Sequence, residues 1–479
     1  MSSAHDAARD SVMADVISCL QTLYFAMIPL RRYPPDLTPS VIAYLSSSYR
    51  IASVFLNGVL DATVRNPLNE QFPIATTSRV CVLKWLVGLA EKRSTVEEEE
   101  EDVETNMNEG TNDDSDDPFD ALFTIYADCL ASSGKSTQFT NDGHNNSDYC
   151  YKTFFYPPRV RVSLQESRNY ISSGTTGLTS WTASFFMIDW MEKVILKYSS
   201  PSCPCSTFPC TEAFHPSSSF LSGKNVLELG SGTGLTGINA CLRTASIGSG
   251  VKSFRFSDCH PEVLTTLRRN VAHNVPADVL RTNDVDVVEL DWSEDATWKS
   301  GKEKVAASSM DVDDAKGEEE ERSGRLESSW FPDVILGCDI VFDVDVIPYL
   351  VRVLKHFLSR DANSSDGQFS LKNPPVAYIA STIRNIHTYT SYLLELEKAG
   401  LAVQSCSTTK PSCVLEKYCE FRTPCAPASS FRYDEACVDE NPQVTISRIV
   451  DRKLRDEMEL SMTFMPRVIA NEFTEMTLQ

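Results

Sequence analysis

The sequence predicts an α/β protein with a mostly parallel sheet, preceded by a helical N-terminal region. From residue 224 onward, short apolar segments alternate with amphipathic ones, which is the pattern of parallel strands joined by helices. A glycine-rich loop, Gly230 to Gly234, follows the first of these apolar segments. Upstream, residues 1–95 carry apolar side chains at helical spacing. We therefore expect helices first and the sheet second.

The chain is long enough for two or three domains. We expect a helical accessory domain at 1–95, a polar linker with one short helix at 96–149, a sheet domain at 150–450 and a tail at 451–479. Within the sheet domain, the polar segments 294–328 and 361–373 are predicted low-complexity inserts.

Two acidic runs account for most of the net charge of −22. Residues 97–117 hold twelve acids and no base, and residues 311–322 hold seven acids and two bases, so together they carry −17. Such runs favour solvated, disordered segments, with docking of a partner as the alternative. The remainder is mildly acidic and has no basic stripe, which argues against stable nucleic-acid binding.

Compartment and membrane contact follow from simple sequence features. No apolar run reaches the roughly 18 residues of a membrane span, and the N-terminus MSSAHDAARD lacks the pattern of a signal peptide. The fifteen cysteines are scattered and odd in number, which favours reduced thiols. We expect a cytoplasmic, monomeric protein with no membrane contact.

The expected elements can be given in order. Helical patterns cover 12–30, 41–64, 79–91 and 120–131, a strand or hairpin covers 151–162, and an amphipathic helix begins at Ser180. The expected strands of the sheet are Asn225–Leu229, Ser253–Asp258, Val285–Leu290, Val334–Cys338, Val376–Ser381, Leu401–Cys406 and Val444–Ile449.

The loop after the first strand predicts a ligand. Three glycines, Gly230, Gly232 and Gly234, let the backbone approach a ligand closely. The pattern beginning at Glu228 is E-x-G-x-G-x-G, which differs from the G-x-G-x-x-G of dinucleotide enzymes. An acid beside this loop suits a cationic ligand such as S-adenosylmethionine, although a plain glycine turn at a strand end is the alternative.

Polar and aromatic residues stand at the ends of the next three strands, where ligands of open parallel sheets bind. Asp258 is predicted to accept ribose hydroxyls, and Trp292 to lie against an adenine ring whose amino group donates to Asp291. Asp339 and Phe342, which follow the fourth strand, are predicted to lie beside the reactive end of the ligand. Three of these residues have a structural alternative: Asp258 and Asp339 as helix or turn caps, and Trp292 as a core or interdomain residue.

These residues resemble a known family, the seven-β-strand, class I S-adenosylmethionine-dependent protein-lysine methyltransferases, whose catalytic domain is Rossmann-like. The segment Asp339-Ile340-Val341-Phe342 matches the acid-x-x-aromatic motif of that family. The segments GTTGLTSW (174–181), LELGSGTGLTG (227–237), SDCHPEVLTTLRRNV (257–271) and LDW (290–292) are similar to the branch that methylates elongation factor 2.

The resemblance implies roles for individual positions. Trp181 would line the methionine end of the cofactor, Gly230, Ser231 and Gly232 would form its loop, Asp258 would hold the ribose and Trp292 would flank the adenine. Cys338 stands at a small-residue position that is often alanine in relatives. Asp339 and Phe342 would shape the channel for the substrate lysine.

The expected activity is methylation of a lysine of elongation factor 2. Methylation of another protein, an interaction protein without turnover and a nucleic-acid methyltransferase are the alternatives. The sequence argues against a nucleic-acid methyltransferase, because it lacks the Asn/Asp-Pro-Pro-aromatic motif of the enzymes that methylate amino groups of nucleic acids. The fourth strand here ends C-D-I-V-F instead.

Three other signals favour structural roles. Cys203, Cys205 and Cys210 lack the paired C-x2-C spacing of structural zinc sites, so free thiols are expected and no metal. The neighbours Cys259 and His260 point differently from a strand end and do not form a nucleophile pair. Arg384 and His387 follow the fifth strand and are interpreted as residues of the surface or of the substrate rim.

Overall fold

The computed structural model describes residues 2–97, 117–133, 148–156, 160–197, 220–294, 326, 330–359, 374–408 and 444–453. These residues divide into two compact units. One holds the described residues up to Ser180 together with Arg269–Asn274, and the other holds Trp181–Arg268 and the described residues from Val275 onward. The domain bounds expected from the sequence stay a prediction.

The first unit is built from helices and one hairpin. Its helices are α1 (Ser2–Phe25), α2 (Leu37–Leu45), α3 (Tyr49–Ala62), α4 (Leu68–Gln71), α5 (Thr76–Glu97) and α6 (Pro118–Ser133). Leu23, Phe55 and Leu83 are fully buried, so α1, α3 and α5 contribute to its core. The expected helical N-terminal region is confirmed.

The hairpin of the first unit consists of β1 (Tyr149–Tyr156) and β2 (Val160–Ser167), paired antiparallel. The buried carboxylate of Glu166 accepts hydrogen bonds from Lys152 Nζ at 2.8 Å and from Ser180 Oγ at 2.6 Å. The side chain of Asn274 both accepts from the backbone N–H of Ser163 and donates to its carbonyl, each at 2.7 Å. The Asn274 side chain thus pairs both backbone polar groups of Ser163 on β2.

The second unit is a seven-stranded sheet with helices between its strands. In chain order its elements are α7 (Thr182–Lys197), β3 (Asn225–Leu229), α8 (Leu235–Ser246), β4 (Ser253–Asp258), α9 (Pro261–Asn274), α10 (Ala277–Thr282), β5 (Val285–Glu289), β6 (Val334–Cys338), α11 (Ile347–Leu358), β7 (Val376–Thr382), α12 (Ile386–Lys398), β8 (Leu401–Thr408) and β9 (Val444–Asp451). The last six residues of α9 belong to the first unit.

The strands lie in the order β5-β4-β3-β6-β7-β9-β8. The first five are parallel, and β9 runs antiparallel to both β7 and β8. The predicted α/β class with a mostly parallel sheet is confirmed, and each predicted strand is present. The central strands β3 and β6 are mostly apolar and contribute to the core, where Leu227 and Ile335 are fully buried.

Several expectations fall outside the described residues: most of the acidic linker, the inserts at 294–328 and 361–373 apart from a few positions, the cysteine-rich segment with Cys203, Cys205 and Cys210, and most of the C-terminal tail. Within the described ranges, no helix combines the length and apolarity needed to cross a membrane.

Candidate active site

The candidate site lies where β3, β4, β5 and β6 end. Strand β3 pairs with β4 on one side and with β6 on the other, so the chain reverses its direction of strand addition there. The register sets Leu229 opposite Gly337 and Asp258 opposite Glu289, which brings the carboxyl ends level. A switch point of this kind opens a crevice for a ligand.

The loop after β3 needs glycine at two positions for different reasons. Gly230 has φ +59°, and a Cβ there would lie 2.8 Å from Ile340 Cγ2. Gly234 has φ +85° at the start of α8, and a Cβ there would lie 2.6 Å from Leu267 Cδ1. A side chain at either position would both strain the backbone and collide with the core.

Ser231 and Gly232 fasten this loop to β4. The backbone N–H of Ser231 donates to the carbonyl of Ser257 at 2.8 Å, and the N–H of Ser257 donates to Ser231 Oγ at 3.0 Å. The N–H of Gly232 donates to Asp258 Oδ2 at 3.2 Å. These three hydrogen bonds fix the position of the loop relative to β4.

Asp258 ends β4 with neutral donors around its carboxylate. Besides Gly232, the N–H groups of Cys259 and His260 donate to its Oδ1 at 2.9 and 3.2 Å. Burial raises the pKa of Asp258, while these backbone hydrogen bonds oppose the rise. The side chain thus caps the turn into α9, as the structural alternative expected, and also orders the glycine loop.

Glu228 lies deeper than the sequence interpretation assumed. Its Oε1 accepts the N–H of Gly237 in α8 at 3.1 Å, and its buried Oε2 has no hydrogen-bond partner among the described residues. Burial raises the pKa of Glu228 to about 8. At neutral pH the Glu228 carboxyl group is mainly uncharged and contacts α8. Its surroundings therefore do not support a role in attracting a cationic ligand.

Trp292 and Asp291 follow β5. The indole Cζ2 lies 3.6 Å from the point that a Cβ of Gly230 would occupy, so the ring flanks the glycine loop. It is half-buried and packs against the core of the sheet. Asp291 Oδ1 accepts the N–H and Oγ of Ser293 at 2.8 and 2.7 Å, which forms a tight turn after the strand.

Cys338 ends β6 and faces the first turn of α8. Its Sγ lies 3.5 Å from Thr236 Oγ1, within hydrogen-bonding distance for sulfur. Burial strongly raises the pKa of the Cys338 thiol, so the thiol stays protonated and is a poor nucleophile. This small side chain fits a position beside the glycine loop.

Asp339 is the most constrained residue of the site. Its φ is +54°, a left-handed conformation that is rare without glycine, and its N–H donates to the carbonyl of Ala380 at 2.8 Å. Its carboxylate accepts the N–H and Oγ1 of Thr382 at 2.8 and 3.0 Å and the N–H of Ala183 at 3.2 Å. Its side chain is only 4% exposed. The strained backbone aims a buried, oriented carboxylate at the start of α7.

Arg384 pairs with that carboxylate from the solvent side. Its Nη2 lies 3.2 Å from Asp339 Oδ2, and its side chain is 45% exposed. The guanidinium carbon also lies 5.0 Å from the centre of the Trp181 ring, in cation–π geometry. The structure therefore brings Trp181 and Asp339 together around one cation.

Phe342 follows this cluster but differs from it in burial. Its side chain is 56% exposed, whereas Ile340 and Val341 before it are buried. An exposed aromatic ring three residues after a buried acid is compatible with a channel wall that a substrate would complete.

Sequence reasoning missed the part played by Thr382 and by the backbone of Ala183. Both lie far along the chain from Asp339 and meet it only through the pairing of β6 with β7 and the start of α7. Its place after a strand end predicts that Arg384 is a rim residue, but no local pattern predicts its ion pair with Asp339.

The remaining signals keep structural roles. Burial, with the nearby Asp258 carboxylate, raises the pKa of Cys259 to about 11, which is unsuitable for a nucleophile. The N–H of His387 donates to Asn385 Oδ1 at 2.9 Å, which caps α12. Among the described residues, no group of three or more acids, histidines or cysteines is arranged to hold a metal ion.

The chemistry of these residues suits S-adenosylmethionine. A tight backbone loop, a half-buried carboxylate at Asp258 and a partly exposed indole at Trp292 follow adjacent strands. Such groups match a nucleoside, whose ribose hydroxyls donate and whose base stacks. The carboxylate of Asp339 and the ring of Trp181 already contact one cation, Arg384, so the same edge of the sheet also has a place for a cationic side chain.

Comparison with known proteins agrees with this chemistry. A family model described as lysine methyltransferase matches residues 163–310. This range includes the glycine loop, Asp258 and Trp292.

Relatives align over most of the chain. A protein-lysine N-methyltransferase EEF2KMT of Mus musculus is 27% identical over 73% of this chain and 77% of its own length. The protein of the same name in Homo sapiens is 26% identical over 73% and 78%. A protein-lysine N-methyltransferase EFM3 of Chaetomium thermophilum is 26% identical over 74% and 84%.

Proposed function

We propose that the chain is an S-adenosylmethionine-dependent protein-lysine methyltransferase and that its acceptor is a lysine of elongation factor 2. Support for this substrate comes from the names of the mammalian relatives and from the segments GTTGLTSW and SDCHPEVLTTLRRNV. We also propose that the enzyme acts as a monomer in the cytoplasm.

The cofactor would lie along the carboxyl ends of β3 to β6. In this proposal Gly230, Ser231 and Gly232 contact it through their backbone, and Asp258 accepts from its ribose. Trp292 flanks the adenine, Asp291 accepts from the adenine amino group, and Cys338 leaves room beside it. Trp181 then covers the methionine end. When bound, S-adenosylmethionine supplies an electrophilic methyl group on a sulfonium.

A lysine needs two changes before it can accept a methyl group. Its ammonium has no lone pair and a pKa of about 10.4 in water, so it must first lose a proton. Desolvation beside aromatic side chains lowers that pKa and favours the neutral amine. With its proton released to water, the neutral amine would accept the methyl group as the sulfonium S–C bond breaks and S-adenosylhomocysteine leaves. The protein would contribute alignment of the amine and exclusion of water.

The observation that carries a lysine acceptor is the environment of Asp339. Its carboxylate is buried and held by Thr382 and Ala183, yet one side of it accepts a cation beside the Trp181 ring. A carboxylate next to an aromatic face is a general binding arrangement for alkylammonium groups. We propose that Asp339 orients the lysine amine and that Phe342 forms one wall of its channel.

Purified protein, labelled S-adenosylmethionine and purified elongation factor 2 test this function. We expect one labelled lysine by peptide mass spectrometry and loss of labelling with Asp339→Ala. The matched control is Asp345→Ala, which removes an exposed acid six residues away. Labelling of a different protein in an extract lacking the endogenous activity, with elongation factor 2 unlabelled, would reject the substrate but keep the enzyme class.

A further inference from the structure

Arg384 occupies a cation-binding position between the Asp339 carboxylate and the Trp181 ring. It stands in the short segment between β7 and α12, where its N–H donates to the carbonyl of Thr382 at 3.0 Å. This turn sets its backbone two residues from a direct partner of Asp339. Its side chain reaches the Asp339 carboxylate and the Trp181 ring together.

The carboxylate does not need Arg384 for its orientation. Three neutral donors, the N–H and Oγ1 of Thr382 and the N–H of Ala183, already hold both of its oxygens. The contacts of the arginine are longer than both Thr382 bonds, at 3.2 Å from Nη2 to Oδ2, the same length as the Ala183 bond, and 3.5 Å from Nη1 to Oδ1. A charge-assisted pair of good geometry is nearer 2.8 Å.

The guanidinium is also partly hydrated. The Arg384 side chain is 45% exposed, against 4% for that of Asp339. A half-exposed ion pair is easily exchanged for another cation, because water compensates the departing group. The buried member of the pair, in contrast, keeps its need for a positive partner.

We propose that Arg384 holds the place of the substrate ammonium between Asp339 and Trp181, and that the acceptor lysine enters by displacing it. Arg384 is then a specificity-determining residue: acidic and neutral side chains cannot exchange with it, whereas a lysine can. This inference rests on the proposed lysine acceptor but not on the identity of the substrate protein.

The test compares Arg384→Met with the wild-type enzyme on whichever protein the wild type methylates. Removing the competing cation is expected to lower KM for that protein by about two- to fivefold, the size of a half-exposed ion pair, with kcat unchanged. Arg384→Lys, which restores a competing cation, is expected to return KM toward the wild-type value. Lys398→Met removes an exposed cation at the far end of α12 and serves as the control.

A second readout does not depend on any protein substrate. Binding of butyltrimethylammonium, a minimal methylated lysine side chain, is measured by NMR titration in the presence of S-adenosylhomocysteine. Tighter binding by Arg384→Met than by wild type is expected. This arm holds even if elongation factor 2 is not labelled, so the two proposals can fail separately.

Three results would overturn the displacement of Arg384: a raised KM, a lowered kcat with cofactor binding intact, or unchanged affinity for the ammonium probe. The first two would make Arg384 a fixed part of the acceptor site, and the third would make it a surface residue. If Arg384→Met does not fold, as judged by thermal melting, Arg384→Gln removes the same charge with a polar side chain and carries the same expectations.

Discussion

Asp258 and Asp339 stand at the ends of the two strands that flank β3, and their partners differ in charge. Asp258 accepts three backbone N–H groups, from Gly232, Cys259 and His260. Asp339 accepts neutral donors as well but also pairs with Arg384. The first arrangement orders a loop, and the second leaves a carboxylate that can exchange one cation for another.

The difference predicts separate roles for the two carboxylates at this edge of the sheet, with Asp258 positioning the cofactor and Asp339 binding the substrate. A carboxylate held only by neutral groups of the fold is suited to positioning the cofactor, because nothing on it has to leave. A carboxylate with a half-exposed cationic partner is suited to a substrate that arrives and departs at each turnover. Substitutions at the two positions should therefore affect different kinetic constants.

The largest effect is expected from Asp339→Asn. The amide keeps the shape and one acceptor oxygen but loses the charge that binds an ammonium, so kcat for lysine methylation should fall by about 100-fold, as for a misaligned acceptor. The cofactor Kd, measured by calorimetry, should change little. Asp333→Asn is the matched control, since Asp333 precedes β6 and its Oδ2 accepts the N–H of Asn225 at 2.9 Å. A loss of cofactor affinity as large as the fall in kcat would contradict the separate roles of Asp258 and Asp339.

Asp258→Ala is expected to act on the cofactor instead. Removing the acceptor of the Gly232 N–H and of the ribose hydroxyls should raise the cofactor Kd by about 10- to 100-fold, the loss of one or two hydrogen bonds to a charged group. At saturating cofactor, kcat should stay within about threefold of the wild type if positioning is the whole role. Asp278→Ala, on an exposed turn of α10, is the control. A fall in kcat with unchanged Kd would reverse the assignment.

Glu228→Gln tests a third carboxyl group, which the fold buries without a charge partner. The pKa of Glu228 is raised from 4.5 to about 8, so the folded state binds its proton more tightly than the unfolded state does. The resulting stability is full below pH 4.5 and is lost as pH rises toward 8. Because glutamine cannot ionise, the Glu228→Gln variant should not lose this stability as pH rises.

The expected difference for Glu228→Gln is modest and lies in stability. Between pH 5 and pH 8 the melting temperature of the wild type should fall more than that of the variant, by about 2 °C or more. Cofactor affinity at neutral pH should be nearly unchanged, because the wild-type group is then mainly uncharged. Parallel pH profiles for the two proteins would show that Glu228 is ionised in the folded state.

Much of the second unit could be predicted because its signals are local. The apolar runs Asn225–Leu229 and Val334–Cys338 have the same bounds in the sequence interpretation and in the structure. The glycines of the loop are visible in the sequence itself, and at Gly230 and Gly234 the structure has the left-handed backbone that glycine adopts most readily. Periodicity and turn chemistry act over a few residues, so a sequence displays them directly.

The chemistry of the individual acids was harder to predict. Glu228, Asp258 and Asp339 all read as acids at strand ends, yet burial leaves the first mainly uncharged and backbone donors surround the second. The burial of each acid and its hydrogen-bond partners depend on how the helices cover the sheet. No local sequence pattern predicts them. The roles proposed for these residues therefore rest on their contacts, and the substitutions described above test them.

By itself, the sequence determined the α/β class, the strands, the glycine loop and the resemblance that names a methyl donor. The contacts of Asp339 with Thr382, Arg384 and Ala183, which are 43, 45 and 156 residues away along the chain, follow from the order of the strands and the position of α7. The physical reason is that a local pattern sets backbone conformation, whereas the charge and reach of a buried carboxylate are set by whichever distant donors the strand order brings beside it.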